Sequence, residues 1–263
     1  MIRQFTSDDE PRLAAFCGRA PEQNIVMLAN LAELGGHGGL VQFWGEVDAA
    51  GNLAAVLMRY GTLWYLDAPP GADLLELAGL ISRVGQERLV LNGPPETISV
   101  LAPLIAEYAA ELRLPARLRI LRENAALTRR TGSPAVRRAT LDDVPALAEL
   151  YAAAPQDVRR GADSLRRSVA GARRAYLAER GRAVTACALT TAELPGLALA
   201  GGLHGEGRMW DADLTAALGA LCESLQQDGK TVTAVTRDLW TDRICDALGF
   251  ADAAPWLIIH MKR

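Results

Sequence analysis

Apolar runs of strand length alternate along the chain with amphipathic stretches of helix length, and the alternation is most regular after residue 135. A short strand from Val136 runs into a helix from Leu141 to Ala154, and Ala162 to Ala170 reads as a second, shorter helix. Arg174 to Glu179 and Ala183 to Thr191 predict antiparallel strands about a turn near Gly181. Leu197 to Leu203 is apolar throughout, which predicts a central strand covered on both faces. Leu214 to Gln227 is an amphipathic helix stopped by Asp228-Gly229. The β-branched run Thr231 to Thr236 is a strand, Leu239 to Ala247 a helix ended by Leu248-Gly249-Phe250, and Trp256 to Met261 a final strand. The order βααβββαβαβ predicts a mixed sheet with helices on both faces.

The same beginning occurs twice. Ile2 to Phe16 lies on Val136 to Leu150 at a constant offset of 134 residues. Arg3/Arg137, Thr6/Thr140, Asp8/Asp142, Asp9/Asp143, Pro11/Pro145, Leu13/Leu147 and Ala14/Ala148 are identical. In each copy a threonine stands in the N-cap place with an aspartate three residues on, the spacing of a capping box. Matches in register that include the proline indicate a duplication. Trp44 to Leu57 then fits a hairpin turning at Asp48 to Asn52, and Tyr176 to Leu189 fits a tighter one. The polar stretch Thr128 to Pro134, broken by Gly and Pro, is the linker. The expected domains are residues 1–127 and 136–263, joined by 128–135.

Composition narrows the setting. Half of the 263 residues are hydrophobic and 22% are charged, a globular balance. Apolar runs such as Leu74 to Ile81 are broken by Glu or Gly well short of bilayer length, so no membrane partner is expected. The net charge of −3 speaks against nucleic acid as a partner. The four cysteines, Cys17, Cys187, Cys222 and Cys245, form no CxxC pair, which suits reduced thiols and predicts no metal site. No apolar leader follows Met1, so a cytoplasmic location is expected.

The order of elements and several short words resemble the GNAT superfamily of acetyl-CoA-dependent N-acetyltransferases. The carrying residues are Val136-Arg137-Arg138-Ala139-Thr140 with Asp143, Glu179-Arg180-Gly181-Arg182-Ala183-Val184, and Ala220-Leu221-Cys222-Glu223-Ser224-Leu225. The most specific is Ile244-Cys245-Asp246-Ala247-Leu248-Gly249-Phe250, where the family shows Tyr-x-x-Leu-Gly-Phe. The first half, with Pro21-Glu22-Gln23-Asn24-Ile25 and Trp44-Gly45-Glu46, is similar to a diverged copy in tandem-GNAT proteins. The resemblance implies an α/β (α+β) fold of two tandem domains, each a mixed, mostly antiparallel sheet with helices on both faces. It also implies acetyl transfer from acetyl-CoA to a small-molecule or peptide amine, with no covalent enzyme intermediate. A splayed strand pair would hold the pantetheine arm, a loop and helix N-terminus the pyrophosphate, and a base and a tyrosine the two proton transfers.

The cofactor loop departs from the family's Arg/Gln-x-x-Gly-x-Gly/Ala. If Arg208 takes the first place, Asp211 and Asp213 take both glycine places; if Met209 does, Ala212 takes the first glycine. The candidate cofactor residues are Leu203, Arg208, Trp210, Asp211, Ala212, Asp213 and Asp238. A capping Asp211 or Asp213 would put a carboxylate where the pyrophosphate binds, which predicts weak or absent coenzyme A binding. Cys245 stands in the tyrosine place, as a leaving-group acid or as a small buried residue. Asp238 caps its helix or faces the cofactor arm. His204 and Glu206, following the central strand, are the candidate bases, and Glu179 reads as a cross-strand ion pair. In the first copy Leu66 to Asp73 contains two prolines and a capping aspartate, and no better loop. His37 reads as a loop residue, and Trp44, Trp64 and Tyr65 as core or cleft wall. The favoured function is an acetyltransferase. The alternative is a catalytically inactive GNAT-fold protein that binds a ligand or serves as a scaffold.

Overall fold

The computed structural model describes residues 1–35, 39–48, 50–121, 134–154, 160–171, 173–207 and 210–263. The first half runs β1 (Ile2–Gln4), α1 (Glu10–Cys17), α2 (Ile25–Leu34), β2 (Val41–Val47), β3 (Leu53–Tyr60), β4 (Leu63–Asp67), α3 (Leu74–Val84), β5 (Arg88–Gly93), α4 (Pro95–Leu104) and β6 (Ala109–Leu121). The second half repeats that order: β7 (Ala135–Arg138), α5 (Val144–Ala152), α6 (Ala162–Ala170), β8 (Ala175–Arg180), β9 (Ala183–Leu194), β10 (Leu197–Gly205), α7 (Trp210–Gln227), β11 (Thr231–Thr236), α8 (Leu239–Ala247) and β12 (Phe250–Lys262). No described helix is long and apolar enough to cross a membrane. Two boundaries differ most from the sequence pattern. Helix α7 begins four residues early, because Trp210 to Asp213 form its first turn, and β12 begins at Phe250 rather than Trp256.

The chain forms two compact units: Met1–Arg117 with Ala254–Arg263, and Leu118–Ala253. In the first unit the strand order is β1-β2-β3-β4-β5-β12. The first three pairings are antiparallel, β4·β5 is parallel, and β5·β12 is antiparallel from Leu257↔Gly93 to Lys262↔Arg88. Alternate residues of β3 feed opposite cores, as a period of two requires. Ala55 and Leu57 join Leu77, Ile81, Ile98 and Leu101 of α3 and α4 on one face. Val56 and Met58 join Leu13, Phe16, Met27 and Leu31 of α1 and α2 on the other.

The second unit has the same plan. Its order is β6-β11-β10-β9-β8-β7, with β7·β8, β8·β9 and β9·β10 antiparallel and β10·β11 parallel. On β9, Ala186 and Ala188 pack with α7 and α8, while Cys187 and Leu189 pack with α5 and α6.

Each unit is completed by chain from the other half of the sequence: Ala254–Arg263 joins the first, and Leu118–Leu121 of β6 the second. Beside β5 lies β12, from the end of the chain, and beside β11 lies β6, from the first half. The compact units therefore differ from the sequence halves by these strand segments. Leu257, Ile259 and Met261 are buried in the first unit's core, where each side chain contributes roughly 1.5–3 kcal/mol. Arg119 of β6 is buried in the second unit and donates to the Asp242 and Phe250 carbonyls at 3.0 and 3.1 Å.

The duplicated residues make duplicated contacts. Arg3 donates to both carboxylate oxygens of Asp9, and Arg137 donates to both of Asp143 at 2.8 and 2.6 Å. The Thr6 and Thr140 amides each donate to the same aspartates, at 3.0 and 2.7 Å, within a capping box. Glu179 accepts from Arg137 at 2.8 Å, the cross-strand ion pair expected of it. The bidentate arginines hold Asp9 and Asp143 down at about 2. A depressed carboxylate adds stability above its ordinary range, near 3.8, and loses it as the pH falls toward 2. Arg3 and Arg137 are partly open to water, which reduces each contribution to about 1–2 kcal/mol. Asp9→Asn and Asp143→Asn are thus expected to lower the unfolding free energy at pH 7 by similar amounts. Each should also flatten the loss of stability between pH 4 and 2, as denaturant titrations at several pH values would read.

Candidate functional site

Strands β10 and β11 pair in parallel from Leu197↔Thr231 to Ala200↔Ala234 and no further. Yet β10 continues to Gly205 and β11 to Thr236. Two adjacent strands that stop pairing while both remain extended leave backbone donors and acceptors facing the gap between them. Such groups need partners, and an extended ligand arm can supply them in the manner of an added strand.

Just past the split β10 carries a bulge. Gly201 lies opposite Leu189 and His204 opposite Cys187, so three steps on β10 face two on β9. Gly202 has a φ of 54°, in the left-handed region that glycine tolerates. A Cβ there would meet Leu189 Cγ at 2.8 Å and Arg160 Nε at 3.0 Å, so this residue is also the only one small enough for the approach. The Gly202 carbonyl accepts the hydroxyl of buried Tyr151 from α5, and the Tyr151 ring lies 5.7 Å from that of His204.

His204 is 13% exposed at its side chain, and its Nε2 lies 3.8 Å from Glu206 Oε1. Nε2 is buried and has no hydrogen-bond partner among the described residues. Burial pushes the imidazole below its usual value, while Glu206 and the Leu150 backbone pull it back up. Leu203, beside it, packs against the α7/α8 core. Thus the structure brings His204 and Glu206 together at the open end of the split strands.

The aspartates of α7 do not share one role. Asp213 is 1% exposed and turned inward. It accepts from Arg180 Nε at 2.9 Å, from Arg180 Nη2 at 2.6 Å and from Thr185 Oγ1 at 2.6 Å. The expectation that Asp213 would place an unbalanced carboxylate beside the pyrophosphate is therefore corrected: Arg180, from the end of β8, neutralises it within the protein. Asp211 is exposed and accepts from the Ala212 amide at 2.8 Å, covering one donor of the first turn. Trp210 meets Trp240 edge to face at 5.7 Å, linking the starts of α7 and α8. Asp238 caps α8 by accepting from Trp240 N and Thr241 N at 3.0 and 2.9 Å. Arg208 lies outside the described residues, as does His37.

Cys245 does not join this group. It has no exposed surface and packs with Leu218, Leu221 and Ile244. Burial pushes its thiol up to about 12. A group so enclosed and so weakly acidic is not placed to give a proton to a departing thiolate, and the reading as a small core residue holds.

In the first unit the corresponding features are committed internally. Strands β4 and β5 pair over Leu63–Tyr65 and Val90–Asn92, and only Leu66, Asp67 and Gly93 extend beyond. Asp73 caps α3 by accepting from Glu76 N at 2.9 Å, and its own amide donates to Glu46 at 2.9 Å. Asp67 accepts from Asn24 at 2.6 Å. Trp44 and Trp64 stack at 5.8 Å inside the core rather than lining a cleft.

Arg180, Thr185, Tyr151 and Arg160 were not legible as site residues. Arg180 belongs to a recognisable hairpin word, but nothing in the spacing points it at Asp213. Arg180→Ala is expected to lower the melting temperature, since it leaves a buried carboxylate without its counter-ion. Arg180→Ala combined with Asp213→Asn should recover much of that loss, because the neutral amide needs no cation. Thermal unfolding of the two single variants and the double variant checks this, and additive losses would contradict the pairing.

No protein-family model matches the sequence, and no curated protein matches it. Among solved structures, a tandem GNAT protein from the clavulanic acid biosynthesis pathway aligns over 100% of this chain and 98% of its own, with a TM-score of 0.64 at 14% identity. A GNAT-family acetyltransferase from Colwellia psychrerythraea aligns over 100% of both chains with a TM-score of 0.62 at 14% identity. A GCN5-related N-acetyltransferase from Sphaerobacter thermophilus aligns over 100% of this chain and 95% of its own, with a TM-score of 0.65 at 12% identity. With βααβββαβαβ written twice and a parallel pair in the same place of each copy, the chain has the tandem form of the GNAT acetyltransferase fold.

Proposed function

We propose that the second unit transfers an acetyl group from acetyl-CoA to an amine, with His204 as the base. The observation that carries this reading is the coincidence of three features. The β10·β11 pairing ends at Ala200/Ala234, the bulge follows at once, and the bulge carries a buried imidazole nitrogen with no partner. The open edges of β10 and β11 fit the arm of the thioester, and the first turn of α7 lies where its phosphates would meet a positive helix end. Leu203, Trp210 and Ala212 are the residues of this edge and turn that would border it, and inward-turned Asp213 no longer opposes it. Exposed Asp211 remains the one unbalanced carboxylate of that turn among the described residues.

When bound, acetyl-CoA supplies the activated acetyl thioester. The chain's own part is to hold the amine and move its proton. His204 is neutral near pH 7, because burial lowers its proton affinity. Its Nε2 would take the proton of the attacking amine. Glu206, at 3.8 Å, stabilises the imidazolium. With the thioester bound, His204 would give that same proton to the leaving sulfur, so no separate acid is needed. Cys245, in the core, takes no part.

His204→Gln is expected to lower kcat by about 10²–10⁴-fold with little change in the KM for acetyl-CoA. The acid limb of the wild-type kcat profile should lie below pH 6.5 and vanish in this variant. Cys245→Ser should leave kcat nearly unchanged. Release of free thiol from acetyl-CoA, with a panel of amines as acceptors, measures all three. Turnover in His204→Gln equal to wild type would remove the base from the account. Thiol release that no amine stimulates would favour the ligand-binding reading.

A further inference from the structure

Arg160, just before α6, is partly exposed and differs from the ion-paired arginines of the second unit. Arg119 is matched by Asp242, Asp246 and Asp252, Arg174 by Glu193 and Asp228, and Arg180 by Asp213. Arg137 is matched by Asp143 and Glu179. Among the described residues Arg160 has no carboxylate partner, and its buried Nε has no hydrogen-bond partner. That nitrogen is 3.0 Å from the place a Cβ would take on Gly202, at the bulge that positions His204.

Among the described residues the titratable groups around it do not balance its charge. Arg160 acts on Tyr151 and Cys187 across short distances, yet burial keeps both protonated, Tyr151 well above its usual range and Cys187 at about 12. His204 is neutral at pH 7. Asp143 is occupied by Arg137. A water molecule could accept a hydrogen bond from Nε but would leave the positive charge unbalanced. Two buried nitrogens without hydrogen-bond partners among the described residues, Arg160 Nε and His204 Nε2, thus lie beside the same bulge. The rest of this partly exposed guanidinium is open to an anion, and its planar fork suits a carboxylate in a two-pronged contact.

We propose that Arg160 is a binding residue for a carboxylate on the acceptor, so that the second unit acts on amines that also carry a carboxylate, as amino acids and peptides with free C-termini do. Arg160 would hold the carboxylate while His204 faces the amine. The reaction at the amine rests on the acyl-transfer reading above, but the carboxylate contact does not, and the two can fail separately.

The test uses the whole chain labelled with ¹⁵N, without coenzyme. The Arg160 Nε–H signal is identified by its absence in Arg160→Lys. The probes are twenty N-acetyl amino acids, the same compounds with the carboxylate replaced by a neutral amide, and N-acetylated tripeptides with a free C-terminus. At least one acid or peptide is expected to shift the Arg160 signal and to bind about tenfold or more tightly than its amide. Preference for the single amino acid or for the tripeptide would identify which source of carboxylate the pocket takes. Arg160→Gln should abolish the preference, and Arg160→Lys, which keeps the charge, should retain part of it. No shift with any acid, equal shifts with acids and amides, or a preference that survives in Arg160→Gln would overturn the proposal. Thiol release from acetyl-CoA is assayed separately, so failure of acetyl transfer cannot be mistaken for failure of carboxylate binding.

Discussion

A parallel strand pair that stops bonding halfway imposes a cost on everything around it. Past Ala200 and Ala234 the two backbones are extended but unpaired with each other, and each must be fixed by other contacts. On one side β9 holds β10 in place through the bulge, and Tyr151 holds the Gly202 carbonyl. On the other, α8 begins under its own cap at Asp238 directly after β11. The start of α7 is tied down by Arg180 and Thr185 through Asp213. These separate restraints keep the gap from collapsing into a continuous sheet, and the chemistry we assign depends on that gap.

The two halves show what duplication keeps and what it releases. Both keep the arginine–aspartate pair and the threonine cap that start the fold. They diverge where the strands part. The first unit has a short split and a helix whose leading amides are bonded to Glu46 and Asp73. The second has a longer split and a partly buried histidine whose buried Nε2 has no bonding partner among the described residues. The residues common to the copies are therefore those of folding, and those that differ are those of the candidate site. The exchange of β6 and β12 adds a constraint of its own. Leu257, Ile259 and Met261 complete the first unit's core, so the first half of the sequence does not fill that core alone.

Most of the fold was legible because periodicity is local. Thr140 and Asp143, the all-apolar Leu197 to Leu203 and the Leu248-Gly249-Phe250 helix stop each state their own conformation. The exchange of strands was not legible, since β6 and β12 carry the same alternation whichever neighbour they join. At the site, His204 and Glu206 could be placed by their position after the central strand. Asp213 was misjudged because its partner, Arg180, is 33 residues away and on another strand. Helix position alone points Asp213 toward the phosphates, and only packing turns it inward. Arg160 carried no signal at all, being one arginine among many, distinguished by the carboxylate it lacks among the described residues.

The central claim is that the split between β10 and β11, and not the shorter one between β4 and β5, takes an extended thioester arm. Hydrogen exchange of the whole chain with and without acetyl-CoA tests it most directly, because an added arm slows exchange at the backbone amides it covers. The account predicts new protection at residues 201–205, 210–214 and 235–236, with residues 63–67 and 88–93 unchanged. Protection confined to residues 63–67 and 88–93, or absent from both at saturating acetyl-CoA, would contradict it.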